Sequence, residues 1–195
     1  MISQKIGHAL DSPILSVYRF IFRGKVVPPN AITVAGTFFG LLSAFLISMG
    51  RLAPAAVALL ISGVLDVLDG AVARSTGRVT RFGGFLDSVL DRYTDLAVMG
   101  GIFFFYISRY DVEYAVVAFI AAAGTALIPY ARARAEAASL TCKAGLLERP
   151  ERLVLLIIGL FVPFLLGYII SALAILTHVT VMQRILHVWK QTRGE

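Results

Sequence analysis

Six apolar stretches joined by short charged links constrain the fold of this chain more than any other feature. They run over 31–50, 53–73, 85–108, 112–135, 152–166 and 169–187, near the length of about 20 residues that lets a helix cross a hydrocarbon core of about 30 Å. Within lipid a backbone must satisfy its own N–H and C=O groups, which makes helices of such runs. Composition agrees: 58% of the 195 residues are hydrophobic and 15% charged, with a mean hydropathy of +0.81, whereas soluble domains carry about a quarter charged residues. The expected fold is an all-α integral membrane protein with six transmembrane helices, forming a single domain over 1–195. Ahead of the 31–187 bundle, residues 1–28 are expected to hold an N-terminal amphipathic helix lying in the membrane interface. There Ile14, Val17, Tyr18, Ile21 and Phe22 recur at helical spacing and Arg19 and Arg23 take the other side. Pro28 and Pro29 are expected to stop that helix, and Asn30 to cap the first crossing. No removable signal peptide is expected in this basic N-terminal segment.

Charge placement sets the expected topology. With the N-terminus on the cytoplasmic side, six crossings put sixteen of the eighteen Lys and Arg residues on or near the inner side and leave only Arg51 and Arg109 outside. The formal charge of +6 is thereby a topology device. A nucleic-acid role is not expected, since no soluble basic module is available for it. A single cysteine, Cys142, permits neither an intrachain disulfide nor a thiolate zinc site.

Five of the twelve acidic residues fall at the end of the second apolar run and the start of the third: Asp66, Asp69, Asp87, Asp91 and Asp95. On helices, Asp66 and Asp69 at i, i+3 share one face, and Asp87 and Asp91 at i, i+4 share another. The short link between the two runs lets those faces oppose each other. A carboxylate near the centre of a membrane helix costs about 2.5 to 3.5 kcal/mol, less near the ends, so four together require a compensating charge. Oxygen-only ligands favour a hard divalent cation, Mg²⁺, Mn²⁺ or Ca²⁺, over zinc or copper. Such an ion commonly binds and polarises a phosphate-bearing substrate. Gly70 and Gly83, beside the carboxylates, remove Cβ atoms that would hold a bulky ligand off the backbone. Arg74 is one turn past Gly70, within reach of a phosphate or an aspartate. Asp95 is expected only to pair with a neighbouring arginine, and Gly63, Gly100 and Gly101 to be close-packing positions between helices.

In order, these residues read Asp66-x2-Asp69-Gly70-x2-Ala73-Arg74-x8-Gly83-x3-Asp87-x3-Asp91, which resembles without gaps the signature of the CDP-alcohol phosphotransferases. The resemblance implies a two-metal centre, Mg²⁺ or Mn²⁺, held by Asp66, Asp69 and Asp87 and completed by Asp91, which also serves as general base. It implies a CDP-lipid site formed by Asp66, Asp69, Gly70, Ala73, Arg74 and Gly83, and a homodimer among membrane lipids. The implied reaction transfers a phosphatidyl-type group from a CDP-lipid, whether CDP-diacylglycerol or a diether analogue, to a hydroxyl acceptor and releases CMP.

A second resemblance narrows the acceptor. Tyr130-Ala-Arg132-Ala-Arg134-Ala-Glu136, Glu148-Arg149-Pro150-Glu151-Arg152-Leu153 and Gln183-Arg184, with His187 and Trp189, are similar to segments of the phosphatidylinositol-phosphate and archaetidylinositol-phosphate synthases. It implies that Arg132, Arg152 and Arg184 bind the phosphate of a small phosphorylated alcohol, inositol phosphate; Arg132 stands where those relatives usually have lysine. Arg149, Lys190 and Arg193 are expected to act as membrane anchors. Glycerol phosphate or another small alcohol is the alternative acceptor, and a membrane prenyltransferase or a cation-coupled transporter the alternative class.

Overall fold

The computed structural model describes residues 27–142 and 144–193, and among these every regular element is helical. Helix α1 spans Pro29–Ser48, α2 Leu52–Ser75, α3 Arg81–Ile107, α4 Val112–Ala137, α5 Arg149–Phe161 and α6 Pro163–Thr192. The expected interfacial helix lies outside the described residues. Helices α1, α2, α4 and α6 are each long and apolar enough to cross a bilayer. Helix α3 has the length, but Asp87, Asp91, Arg92 and Asp95 interrupt its first half. Helix α5, with 13 residues, is only about 20 Å long, short of a hydrocarbon core of about 30 Å.

Three boundaries differ from those expected. Asn30 does not cap α1: the helix starts at Pro29, its cap residue is Pro28, and no side chain caps it. Proline at the first helical position has its backbone angle preset and lacks only an N–H that would be orphaned anyway. Helix α3 starts at Arg81, four residues before the apolar run at 85, because the Thr80 hydroxyl accepts from the Gly83 N–H at 2.9 Å. The run 152–166 is not one helix. It breaks at Val162, with φ −122° and ψ 81°, since the ring of Pro163 disfavours helical geometry in the residue before it.

The helices close into a ring. Helix α1 packs on α2 and α3, α3 on α4, α4 on α6, α6 on α5, and α5 back on α2. Its interior is filled by Ile47, Leu59, Met99, Ile102, Leu160, Leu166, Ile170 and Leu173, all fully buried. Phe38, Phe45, Phe104, Phe119, Phe164 and Tyr168 are more than half exposed, giving the outside the apolar surface that a bilayer covers. Small residues allow the closest approaches: a Cβ on Gly101 would collide with the carbonyl of Ala44, and one on Gly63 with the side chain of Leu153. Both are packing positions, as expected. Gly100 is not, because a Cβ there meets nothing within 4 Å. The buried hydroxyl of Ser43 donates to the Ala55 carbonyl at 2.8 Å, joining α1 to α2.

Candidate active site

The C-terminal end of α2, the first half of α3 and the first turn of α5 converge within the ring. Asp66 and Asp69 come from α2 and Asp87 and Asp91 from α3, as the i, i+3 and i, i+4 spacings require. One carboxylate oxygen from each of Asp66, Asp87 and Asp91 lies within 4.8 Å of the others, a spacing that can hold a metal ion. Asp69 stands beside this trio rather than within it. Its Oδ2 and the Oδ1 of Asp87 are buried with no hydrogen-bond partner. Buried oxygens of this kind are costly unless something binds them. The donor set, carboxylates alone, therefore fits a hard divalent cation.

Three voids run in sequence through the site. The first, about 300 Å³, is lined by Gly70, Ala73, Arg74 and Gly83, with Asp69 and Asp87 on its wall. Every residue expected to line a nucleotide pocket, apart from Asp66, thus faces this cavity. A Cβ on Gly83 would come within 3.0 Å of the Thr80 hydroxyl and 3.1 Å of Asn30 Oδ1, and one on Gly70 within 3.0 Å of the Arg74 guanidinium. At Gly83 the missing Cβ leaves room for the Thr80 cap and Asn30, whereas at Gly70 a Cβ would meet only the flexible end of Arg74, which can give way. The second void, about 10 Å³, lies among Asp66, Asp69, Asp91 and Arg149. The third, about 200 Å³, is lined by Arg92, Arg132, Arg149, Arg152 and Arg184, with Glu148.

Arg132, Arg152 and Arg184 therefore meet in one cavity, although they come from α4, α5 and α6. Their surroundings differ. Arg132 is exposed and pairs with Glu136 at 2.8 Å. Arg152 is buried and pairs with Asp95 at 3.0 Å, the structural role expected of Asp95. Arg184, also buried, donates from Nε to the Ala144 carbonyl at 3.0 Å and from Nη1 to the Ile128 carbonyl.

Arg149 is not the membrane anchor expected of it. Its Nη1 lies 2.7 Å from Asp66 Oδ2, its Nη2 2.8 Å from Asp91 Oδ1, and its Nε 3.5 Å from Asp95 Oδ1. Basic residues near helix ends read as topology signals, and nothing in sequence separates one that faces inward across the ring from one that faces lipid headgroups. The described parts of the loop before α5, 138–142 and 144–148, are also held in a way that spacing does not reveal. The Leu146 N–H donates to Gln183 at 3.0 Å, the Leu147 N–H to Thr180 at 3.3 Å, and the Thr141 N–H to Gln191 at 3.1 Å. These α6 side chains fix the loop that delivers Arg149 and Arg152.

A helical ring for the membrane, with a carboxylate cluster able to hold a cation between a glycine-walled cavity and an arginine-lined one, is suited to binding phosphate-containing molecules. The family model described as CDP-alcohol phosphatidyltransferase matches residues 26–185, and the chain belongs to that family. It is 37% identical over 161 residues to the archaetidylinositol phosphate synthase of Pyrococcus horikoshii, covering 82% of each chain. It is 38% identical over 168 residues to the phosphatidylinositol phosphate synthase of Corynebacterium glutamicum, covering 82% of this chain and 76% of the relative. The fold is similar to that of Mycobacterium tuberculosis phosphatidylinositol phosphate synthase with CDP-DAG bound, with a TM-score of 0.81, 33% identity and coverage of 90% and 93% of the two chains. A structure of the same mycobacterial enzyme in complex with manganese and citrate has a TM-score of 0.78, at 31% identity and coverage of 94% and 88%.

Proposed function

We propose that this chain transfers a phosphatidyl-type group from a CDP-lipid to the hydroxyl of a phosphorylated small alcohol, inositol phosphate, and releases CMP. The observation that carries this reading is the order of the voids: a glycine-walled cavity, a small void among Asp66, Asp69 and Asp91, then an arginine-lined cavity. Donor and acceptor would meet across the aspartates. Family membership also sets aside the prenyltransferase and transporter readings.

In this account Asp66, Asp69, Asp87 and Asp91 hold Mg²⁺ or Mn²⁺, which when bound supplies positive charge to the diphosphate and its departing CMP. Asp66, Asp69, Gly70, Ala73, Arg74 and Gly83 take the cytidine diphosphate end of the lipid, the glycines by letting it approach the backbone. Asp91 takes the proton of the acceptor hydroxyl. That oxygen then attacks the phosphorus bearing the lipid alkoxide, and the bond from this phosphorus to the CMP oxygen breaks. Arg132, Arg152 and Arg184 bind the acceptor phosphate through charge-assisted hydrogen bonds and hold its hydroxyl at Asp91.

The proposal extends to the whole chain as one domain over 1–195, with an interfacial helix over 1–28, the site facing the cytoplasm and six crossings, of which the 13-residue α5 crosses only where the bilayer thins around it. This topology rests on the sixteen inner basic residues against two outer ones. A homodimer belongs to the same reading on family resemblance.

An acceptor screen tests the function. Purified protein is given CDP-diacylglycerol or its diether analogue with inositol phosphate, glycerol phosphate, serine or free inositol, and CMP release is measured. Inositol phosphate is expected to support turnover and free inositol not to. Preference for an uncharged acceptor would overturn the assignment of the arginine cavity, while preference for glycerol phosphate would retain the cavity and change the alcohol.

A further inference from the structure

Arg149 lines both the void among the carboxylates and the arginine cavity. From the first turn of α5 its guanidinium bridges the two helices that carry the aspartates, using Nη1 for Asp66 on α2 and Nη2 for Asp91 on α3. One oxygen of each carboxylate is thereby engaged, while Asp69 Oδ2 and Asp87 Oδ1 remain buried without a partner. Two of the four carboxylates thus share one guanidinium charge, and the other two each keep a buried oxygen that an ion could take. Arg152, one turn further along α5, pairs with Asp95 and not with Asp66 or Asp91.

We infer that Arg149 is an exchangeable counter-ion. It holds Asp66 and Asp91 together in the metal-free enzyme, gives them up when the divalent cation binds, and then turns its charge toward the acceptor phosphate in the cavity it already lines. The inference rests on the metal and acceptor roles proposed above. Its physical basis is mutual exclusion of charge. Two ionised carboxylates cannot stay close in a low-dielectric interior without a cation. A guanidinium and a divalent ion cannot both take their short contacts without repelling each other. Metal loading would then raise acceptor affinity, and by linkage the acceptor would raise metal affinity by the same factor.

The test uses the full-length protein in detergent, as wild type, R149Q, R149K and R152Q. Mn²⁺ affinity is read from the electron paramagnetic resonance of free Mn²⁺, and thermal unfolding midpoints are taken in EDTA and in saturating Mn²⁺. R149Q is expected to bind Mn²⁺ about tenfold more tightly than wild type, the competitor having been removed. It is expected to unfold at lower temperature in EDTA, with the deficit closing in Mn²⁺. Its affinity for inositol phosphate should fall in Mn²⁺ and not in EDTA. R149K, whose compact ammonium cannot bridge both carboxylates, should shift Mn²⁺ affinity in the same direction by less, and it serves if R149Q does not fold. R152Q, which removes the same charge one turn away, should change Mn²⁺ affinity less than R149Q does. Unchanged or weaker Mn²⁺ binding in R149Q and R149K would overturn the inference, as would an equal midpoint deficit with and without metal, the signature of a fixed strut. Failure of the metal reading itself would register elsewhere: D87N would then retain wild-type Mn²⁺ affinity.

Discussion

At the scale of single residues, the four signature aspartates divide by their surroundings. Asp66, Asp87 and Asp91 offer oxygens within 4.8 Å of one another, and Asp69 faces the glycine-walled cavity. D66N, D69N and D87N each keep the side chain's shape and lose the charge that holds a hard cation. All three are expected to lose turnover while remaining monodisperse, and CMP release above about a tenth of wild type in all three would contradict the metal assignment. D91N should behave otherwise if Asp91 acts mainly on the acceptor proton: CDP-lipid binding stays near wild type and the chemical step slows. Equal loss of both would make Asp91 a metal ligand alone. For the acceptor, R132Q, R152Q and R184Q should each raise KM for inositol phosphate about tenfold to a hundredfold, the equivalent of one charge-assisted contact. Arg132 gives the cleanest reading, because it is exposed and its loss disturbs no core. R152Q also leaves the buried Asp95 short of a partner, and a stability loss is expected alongside its kinetic effect. R134Q, an exposed position on the same helix outside the cavity, serves as control and should leave KM unchanged.

At the scale of helices, the apolar runs were legible because membrane helices announce themselves by length and hydropathy, but helix ends are set by local chemistry that such averages miss. Thr80 starts α3 in a segment of Arg, Phe and two glycines with no apolar signal, and Pro163 splits a continuous apolar run into α5 and α6. Packing positions were legible only in part. Gly63, Gly100 and Gly101 look alike in sequence, yet only the first and third face a neighbouring helix at a distance that excludes a Cβ. These adjacent glycines supply an internal comparison. G101A places a methyl against the Ala44 carbonyl and should destabilise the α1–α3 contact by about 1 to 3 kcal/mol, the usual cost of overpacking. G100A should be neutral or slightly stabilising, since alanine is the better helix former. Thermal unfolding in a fixed detergent checks the pair, and equal midpoints for the two variants would contradict the packing described here.

At the scale of the whole molecule, the ring of helices brings together residues more than a hundred positions apart in sequence. The aspartate cluster was legible because its members sit close along the chain at helical spacings. The arginine cavity was legible only through resemblance, since α4, α5 and α6 each contribute one basic side chain and no local pattern links them. Arg149 was misread because its contacts with Asp66, Asp91 and Asp95 exist only after α5 docks on α2. The same closure makes the site one unit, with the glycine-walled cavity, the carboxylates and the arginine cavity sharing Asp69 and Arg149 as their dividing walls. The most direct test of that arrangement is CMP release by purified wild-type enzyme and D87N, given CDP-lipid with and without inositol phosphate, in Mn²⁺ and in EDTA. CMP should appear only with wild-type protein, metal and acceptor together. Release that persists in EDTA, in D87N or without the phosphorylated acceptor would contradict a metal-dependent transfer between the two cavities.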